Sequence, residues 1–90
     1  MIARKFLVRG IVQGVGFRYF AQRSAARHQV KGYVRNLDDG AVEAFVQGSP
    51  EMVEAFKHDL TAGPTYSRVE EIEELVVDTN SQYSTFRVER

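Results

Sequence analysis

Between Val12 and Arg18 the chain reads Val-Gln-Gly-Val-Gly-Phe-Arg, and this run holds the densest chemistry in the sequence. Gly14 and Gly16 let the backbone curl so that successive N–H groups point into one concavity, a nest for an anion. A helix starting at Phe17 adds unpaired amides and a partial positive charge at its first turn. Arg18 then stands where a guanidinium forks onto two oxygens of a phosphate held in that nest. Taken singly, the glycines are ordinary punctuation between a strand and a helix, and the arginine an ordinary solvated residue. Their adjacency is what points to a site. The run is not a Walker-type loop, which needs Lys then Ser/Thr, and Tyr19 occupies the third glycine position of GxGxxG. No acid precedes Asp38 to hold magnesium beside the loop, which argues against an ATPase or kinase. Asn36 is the second candidate, because its amide both donates to and accepts from a water. Its plain alternative role is to shape the end of a hairpin.

Elements of alternating period must carry these residues. From Ile2 to Val12 apolar and basic residues alternate, with Phe6 and Val8 on one face and Lys5 and Arg9 on the other, the period of a strand. From Phe17 to about Gln29 the period changes. Phe17, Phe20, Ala21, Ser24, Ala25 and His28 follow helical spacing and make a seam of small residues suited to close packing on a sheet. Val30 to Leu37 and Ala41 to Gln47 return to alternation around Asp38-Asp39-Gly40, a hairpin signal. Ser49-Pro50-Glu51 sets a cap, a first-turn proline and an acid in the order a helix start prefers. Met52, Val53, Phe56 and Leu60 give that helix its stripe, and Gly63-Pro64 ends it. Arg68 to Val77 reads as a strand with a bulge between Val69 and Ile72, Asp78 to Ser84 as a polar loop, and Thr85 to Val88 as a short last strand. The order β-α-β-β-α-β, with right-handed crossovers, gives an α+β ferredoxin-like sandwich: an antiparallel sheet with two helices on one face.

Composition narrows the chemistry further. Ninety residues with 43% hydrophobic and 11% aromatic content suit one folded domain. There is no Cys, and the two His, His28 and His58, stand apart. That removes disulfides, thiol nucleophiles and Cys-based zinc sites. His28 is expected near the end of the first helix and His58 on the surface of the second. Arg4, Lys5 and Arg9 interrupt the N-terminal segment, which is neither a signal peptide nor a membrane span, so a cytoplasmic protein is expected. The net charge of zero averages two unlike parts. Residues 1–36 carry eight basic residues and no acid, and residues 37–90 carry four basic and twelve acidic ones. Such asymmetry marks either an anion-facing region or charges that pair across the fold.

Val12-Gln13-Gly14-Val15-Gly16-Phe17-Arg18, followed by Gly32-Tyr33-Val34-Arg35-Asn36 and Asp39-Gly40, resembles the two signature motifs of the acylphosphatase family. Gly63-Pro64 and Arg68-Val69-Glu70 are similar to that family's pattern as well, so the resemblance covers nearly the whole chain, as a single domain over residues 1–90. It implies hydrolysis of a carboxyl-phosphate anhydride in a small acyl phosphate. It implies that residues 13–18 form the phosphate-binding loop, with the amides of Val15, Gly16, Phe17 and Arg18 on the phosphoryl oxygens and Gln13 and Gly14 shaping the turn. Arg18 and Asn36 are then the catalytic residues. The Arg18 guanidinium neutralises developing charge, and Asn36 aligns the attacking water. No His, Asp or Glu lies within the 12–18 or 32–36 runs to act as base. The chemistry tolerates this, since a carboxylate leaves readily and a loose transition state needs little activation of the nucleophile. A substrate oxygen takes the proton, and neither cofactor nor metal is implied. A monomer acting on a small molecule, with no nucleic acid or membrane as partner, is expected.

Two other functions share this pattern of elements. An RRM-like RNA-binding module has the same β-α-β-β-α-β order, and Lys31-Gly32-Tyr33 echoes its RNP1 start. The echo stops at Val34, and only Tyr33 and Phe45 are placed for base stacking. A non-catalytic module would bind an anion in the same loop. Among the remaining polar residues, Ser24 reads as packing, Glu70 to Glu74 as the solvated face of a strand, and Tyr19 as either a site-entrance residue or sheet packing.

Overall fold

The computed structural model describes residues 1–90. Its elements in chain order are β1 (Ile2–Ile11), α1 (Phe17–His28), β2 (Lys31–Asn36), β3 (Val42–Gly48), α2 (Pro50–Ala62), β4 (Arg68–Val77) and β5 (Phe86–Val88). The sheet order is β4-β1-β3-β2-β5, with both helices packed on one face. The alternation in β1 does what its period requires: Phe6 and Val8 are fully buried beneath the helices, and β3 sets Ala44 and Val42 beside them. In α1 the buried residues are Phe17, Ala21, Ser24 and Ala25, so small side chains bring this helix close to the sheet. The start of α2 is capped as its sequence specifies, with Ser49 Oγ accepting from the Met52 N–H at 3.3 Å and Pro50 in the first turn. Phe6, Phe56 and Leu60, all fully buried, anchor a core of fourteen side chains. The bulge falls inside the expected interval, since Arg9 pairs with Glu71 and Gly10 with Val69, leaving Glu70 as the extra residue.

One feature of the sheet differs from a wholly antiparallel arrangement: β5 runs parallel to β2, through Gly32↔Phe86 and Val34↔Val88. After β4 the chain must travel from one edge of the sheet to the other, and residues 78–84 carry it there over the face away from the helices. Gln47 holds this crossing in place. Its Nε2 donates to the Asn80 carbonyl at 2.8 Å, and its Oε1 accepts from the Asn80 N–H at 2.7 Å. Tyr83 thereby packs on Phe45 and Tyr33, with ring centroids 5.5 and 5.7 Å away. Beside them, Tyr33 and Arg35 both donate to Glu43 Oε1 at 2.8 Å. Burial alone would raise the Glu43 pKa, but these two hydrogen bonds and the Arg35 charge outweigh it and hold the carboxyl below its ordinary value.

Half of the basic N-terminal residues pair with acids from later in the chain. Arg4 meets Glu74 at 3.3 Å, Arg9 meets Asp39 at 3.0 Å, Arg27 meets Asp59 at 3.2 Å and Arg35 meets Glu43 at 2.8 Å. Glu74 is exposed, as its acidic neighbours are, but it is not simply solvated. It pairs in register with Phe6, on the helix side, where Lys57 of α2 also reaches it at 2.7 Å.

Ser24 does more than pack. Its hydroxyl donates to Asp59 Oδ2 at 2.7 Å, and the same oxygen takes Arg27 and His28 at 3.2 and 3.0 Å, so one carboxylate ties α1 to α2. Burial pushes the Asp59 pKa up, but the Ser24 and His28 hydrogen bonds and the neighbouring cations push it down further, leaving it below the ordinary value. Because the folded pKa is the lower one, the stabilisation is complete above the ordinary aspartate range. It is lost as pH falls through the depressed folded value. Asp59→Ala, which leaves the 2%-exposed Ser24 without its acceptor, is expected to cost about 1–3 kcal/mol in urea unfolding at neutral pH. The difference from wild type should shrink towards acid pH; a difference that grew on acidification would show that the tie does not act through the ionised carboxylate.

Candidate active site

The 13–18 loop leaves β1 and enters α1 by way of two left-handed residues, Gly14 at φ +75° and Gly16 at φ +79°. A Cβ at either position would meet nothing within 4 Å. Glycine is therefore required by the dihedral rather than by crowding. Gly16 is the N-cap of α1, no side chain caps the helix, and no acid lies in its first turn. The first amide to find its partner is that of Phe20, bonded to the Gly16 carbonyl at 3.0 Å. The N–H groups before it in the first turn have no intrahelical acceptor, and they carry the positive end of the helix dipole.

A cleft of about 760 Å³ opens at this point, and Gly14, Gly16, Phe17, Arg18 and Asn36 all line it. Asn36 ends β2 on the helix side of the sheet, two residues beyond the fully buried Val34. The loop and the hairpin thus present their polar groups to one volume although 18 residues separate Arg18 from Asn36 in sequence. Phe17 contributes main chain only, since its side chain is 2% exposed and lies in the core, and Val15 is partly buried against the same core. Gln13 turns away from the cleft. Its Nε2 donates to the carbonyls of Leu37 and Ala41 at 2.8 and 2.9 Å, joining the loop to the β2–β3 turn.

The Arg18 guanidinium is held by a main-chain acceptor. Its Nη1 donates to the Glu89 carbonyl at 3.0 Å, and the Glu89 N–H in turn donates to the Val34 carbonyl at 2.8 Å, extending the pairing of β5 with β2. No carboxylate stands within ion-pair distance of Arg18, and no Asp or Glu lines the cleft. An anion entering here meets an uncompensated guanidinium and open amides. No three His, Asp or Glu side chains gather so as to hold a metal ion. His28 closes α1 in the Asp59 tie, and His58 is exposed on α2.

The cleft also takes in Val12, Tyr19, Gln22, Val88 and Arg90. Tyr19 was open to two placements; it is 64% exposed at the mouth, with the Arg23 guanidinium 5.7 Å from its ring centre. Gln22 was legible in principle, lying one helical turn beyond Arg18 on the same face. Val88 and Arg90 were not, because their position depends on β5 crossing to the β2 edge.

Comparison with known proteins bears on the whole chain. A family model described as acylphosphatase matches residues 4–88. The acylphosphatase of Pasteurella multocida (strain Pm70) is 42% identical over 88 residues, covering 98% of each chain. That of Solibacter usitatus (strain Ellin6076) is 46% identical over 86 residues, covering 96% of this chain and 88% of its own. In three dimensions, the crystal structure of acylphosphatase from Bacillus subtilis matches with a TM-score of 0.95 at 32% identity, with both chains fully covered. The likeness runs through sequence and fold alike and is not confined to one motif: the chain belongs to the acylphosphatase family.

Proposed function

We propose that the cleft hydrolyses the carboxyl-phosphate bond of small acyl phosphates, with the phosphoryl group on the 13–18 loop and Arg18 and the attacking water set by Asn36. The observation that carries this assignment is the meeting of an uncapped helix N-terminus, a guanidinium without an acidic partner and a carboxamide in one cleft lined by no Asp or Glu. The amides of Val15, Gly16, Phe17 and Arg18 supply oriented dipoles for the phosphoryl oxygens. Arg18 adds a full charge where the transition state gathers its own. Asn36 contributes geometry, holding water on the side away from the leaving carboxylate. A phosphoryl oxygen takes the water's proton, the P–O bond to the acyl group breaks, and carboxylate and inorganic phosphate leave.

The same proposal includes a monomeric, single-domain, cytoplasmic enzyme that needs neither metal nor cofactor. No helix is long and apolar enough to cross a membrane. Of the two residues that would offer an RNA-stacking surface, Phe45 is 6% exposed and Tyr33 lies against Tyr83, which disfavours the nucleic-acid alternative. Acetyl phosphate tests the proposal directly. Turnover should far exceed spontaneous hydrolysis and stay unchanged in excess EDTA. A wild-type rate equal to the spontaneous one would overturn the enzymatic role, and loss in EDTA restored by Mg²⁺ would overturn the metal-free chemistry.

A further inference from the structure

The water and the phosphate must be in line, so the distance between Asn36 and the 13–18 loop has to be fixed by something. Main-chain connection does not fix it. The loop hangs between β1 and α1, whereas Asn36 is the last residue of β2, next to a turn. Arg18 reaches β2 through the Glu89 main chain and Val34, and two further side chains, Arg9 of β1 and Gln13 at the start of the loop, reach the turn that follows Asn36. Arg9 Nη1 binds Asp39 Oδ2 at 3.0 Å, at an exposed site where such a pair contributes little. Asp39 Oδ1 also accepts from the Ala41 N–H at 3.0 Å, which shapes the turn itself. Gln13 is placed differently. Its one amide nitrogen donates both hydrogens, to the Leu37 carbonyl at 2.8 Å and to the Ala41 carbonyl at 2.9 Å. Leu37 follows Asn36 directly, and the Leu37 N–H donates to the Ala41 carbonyl at 2.8 Å. The carboxamide therefore closes the base of the turn at the two residues that set the direction of the Asn36 backbone.

We infer that Gln13 is a positioning residue for hydrolysis, which locks the turn carrying Asn36 to the phosphate loop and so sets where the attacking water stands. The inference rests on the proposed role of Asn36. Gln13 donates to main-chain carbonyls and has no amide hydrogen left for the phosphate. It acts on the nucleophile's side of the reaction and leaves the grip on the phosphoryl group to the open amides and Arg18. This division separates kcat from KM. A loose turn lets Asn36 swing through many orientations, of which few align the water, and small misplacements of this kind are costly in rate. The nest amides are those of residues 15–18, and the Gln13 carboxamide bonds none of them.

The test is steady-state hydrolysis of acetyl phosphate by Gln13→Leu, Gln13→Met, Asn36→Ala and the Gln13→Leu/Asn36→Ala pair, with inorganic phosphate as competitive inhibitor. Gln13→Leu removes both donors at similar volume; Gln13→Met is the more adaptable replacement should the leucine variant fold poorly, with circular dichroism to show that each is folded. Expected is a kcat about 10-fold lower in either Gln13 variant, with KM and the phosphate inhibition constant within about twofold of wild type. Once Asn36 is alanine, adding Gln13→Leu should change kcat less than about twofold, because coupled residues are non-additive. Multiplying effects in the double variant would overturn the inference, as would a weaker phosphate inhibition with kcat preserved, which would assign Gln13 to the phosphate grip. If Asn36→Ala alone leaves kcat intact, it is the water-positioning role of Asn36 that fails, and the Gln13 inference falls with it; that result is distinct from multiplying effects on an Asn36 that does matter.

Discussion

Arg18→Ala is expected to lower kcat/KM for acetyl phosphate by about 10²-fold or more, equivalent to roughly 2.7 kcal/mol of lost transition-state stabilisation. The guanidinium follows the two loop glycines directly in the cleft that Arg90 also lines, it has no carboxylate partner, and the Glu89 carbonyl holds it in place at 3.0 Å. A neutral acceptor orients the group without spending its charge, so the charge stays available to the phosphate. Arg18→Lys should recover only part of the loss, since an ammonium keeps the charge but not the planar fork. Inorganic phosphate should also inhibit Arg18→Ala more weakly, because the ground state loses the same contact. Near-wild-type kcat/KM in Arg18→Ala would place the main stabilisation in the loop amides alone.

For Asn36→Ala a fall in kcat of about 10²-fold is expected, with KM for acetyl phosphate nearly unchanged. Asn36 brings no charge to the phosphate, and its removal leaves the nest and Arg18 intact, so substrate should bind as before. What goes is the alignment of water with the scissile bond. Asn36→Asp makes the comparison sharper: it nearly preserves shape but sets a carboxylate where the phosphate is proposed to bind, and KM should then rise as well. A KM effect in Asn36→Ala equal to the kcat effect would make Asn36 a phosphate ligand and not a positioner of water.

The sequence carried the element boundaries well because each element agrees with itself at several levels. Ser49-Pro50-Glu51 announces α2 and the structure caps it with Ser49. Arg68 to Val77 was the least regular stretch by alternation, yet β4 spans those residues with the bulge at Glu70. The loop glycines and Arg18 were legible for the same reason, since nest, helix start and guanidinium are adjacent in the chain. Less visible was whatever depends on two distant segments meeting. Ser24 shows only a small residue on a helical seam, and nothing near it announces Asp59, 35 residues away. Glu74 looks like its acidic neighbours until the register puts it opposite Phe6. Gln13 sits inside a phosphate-loop motif, yet it faces the β2–β3 turn. The direction of β5 was unreadable because three residues with little burial carry too short a pattern to choose an edge or a sense.

The anchor of Arg18 leaves almost no trace in the identity of its partner. Because the acceptor is a main-chain carbonyl, any residue except proline, which would lose the N–H bond to Val34, serves at position 89, and the glutamate side chain is free to drift. Length is a different matter. Successive residues of an extended strand point their carbonyls to opposite sides, so one residue inserted or removed between Phe86 and Glu89 would aim the wrong carbonyl at the guanidinium. The terminal stretch can thus vary widely in composition while its residue count stays fixed, and comparisons that weigh letters over spacing would pass over the constraint entirely.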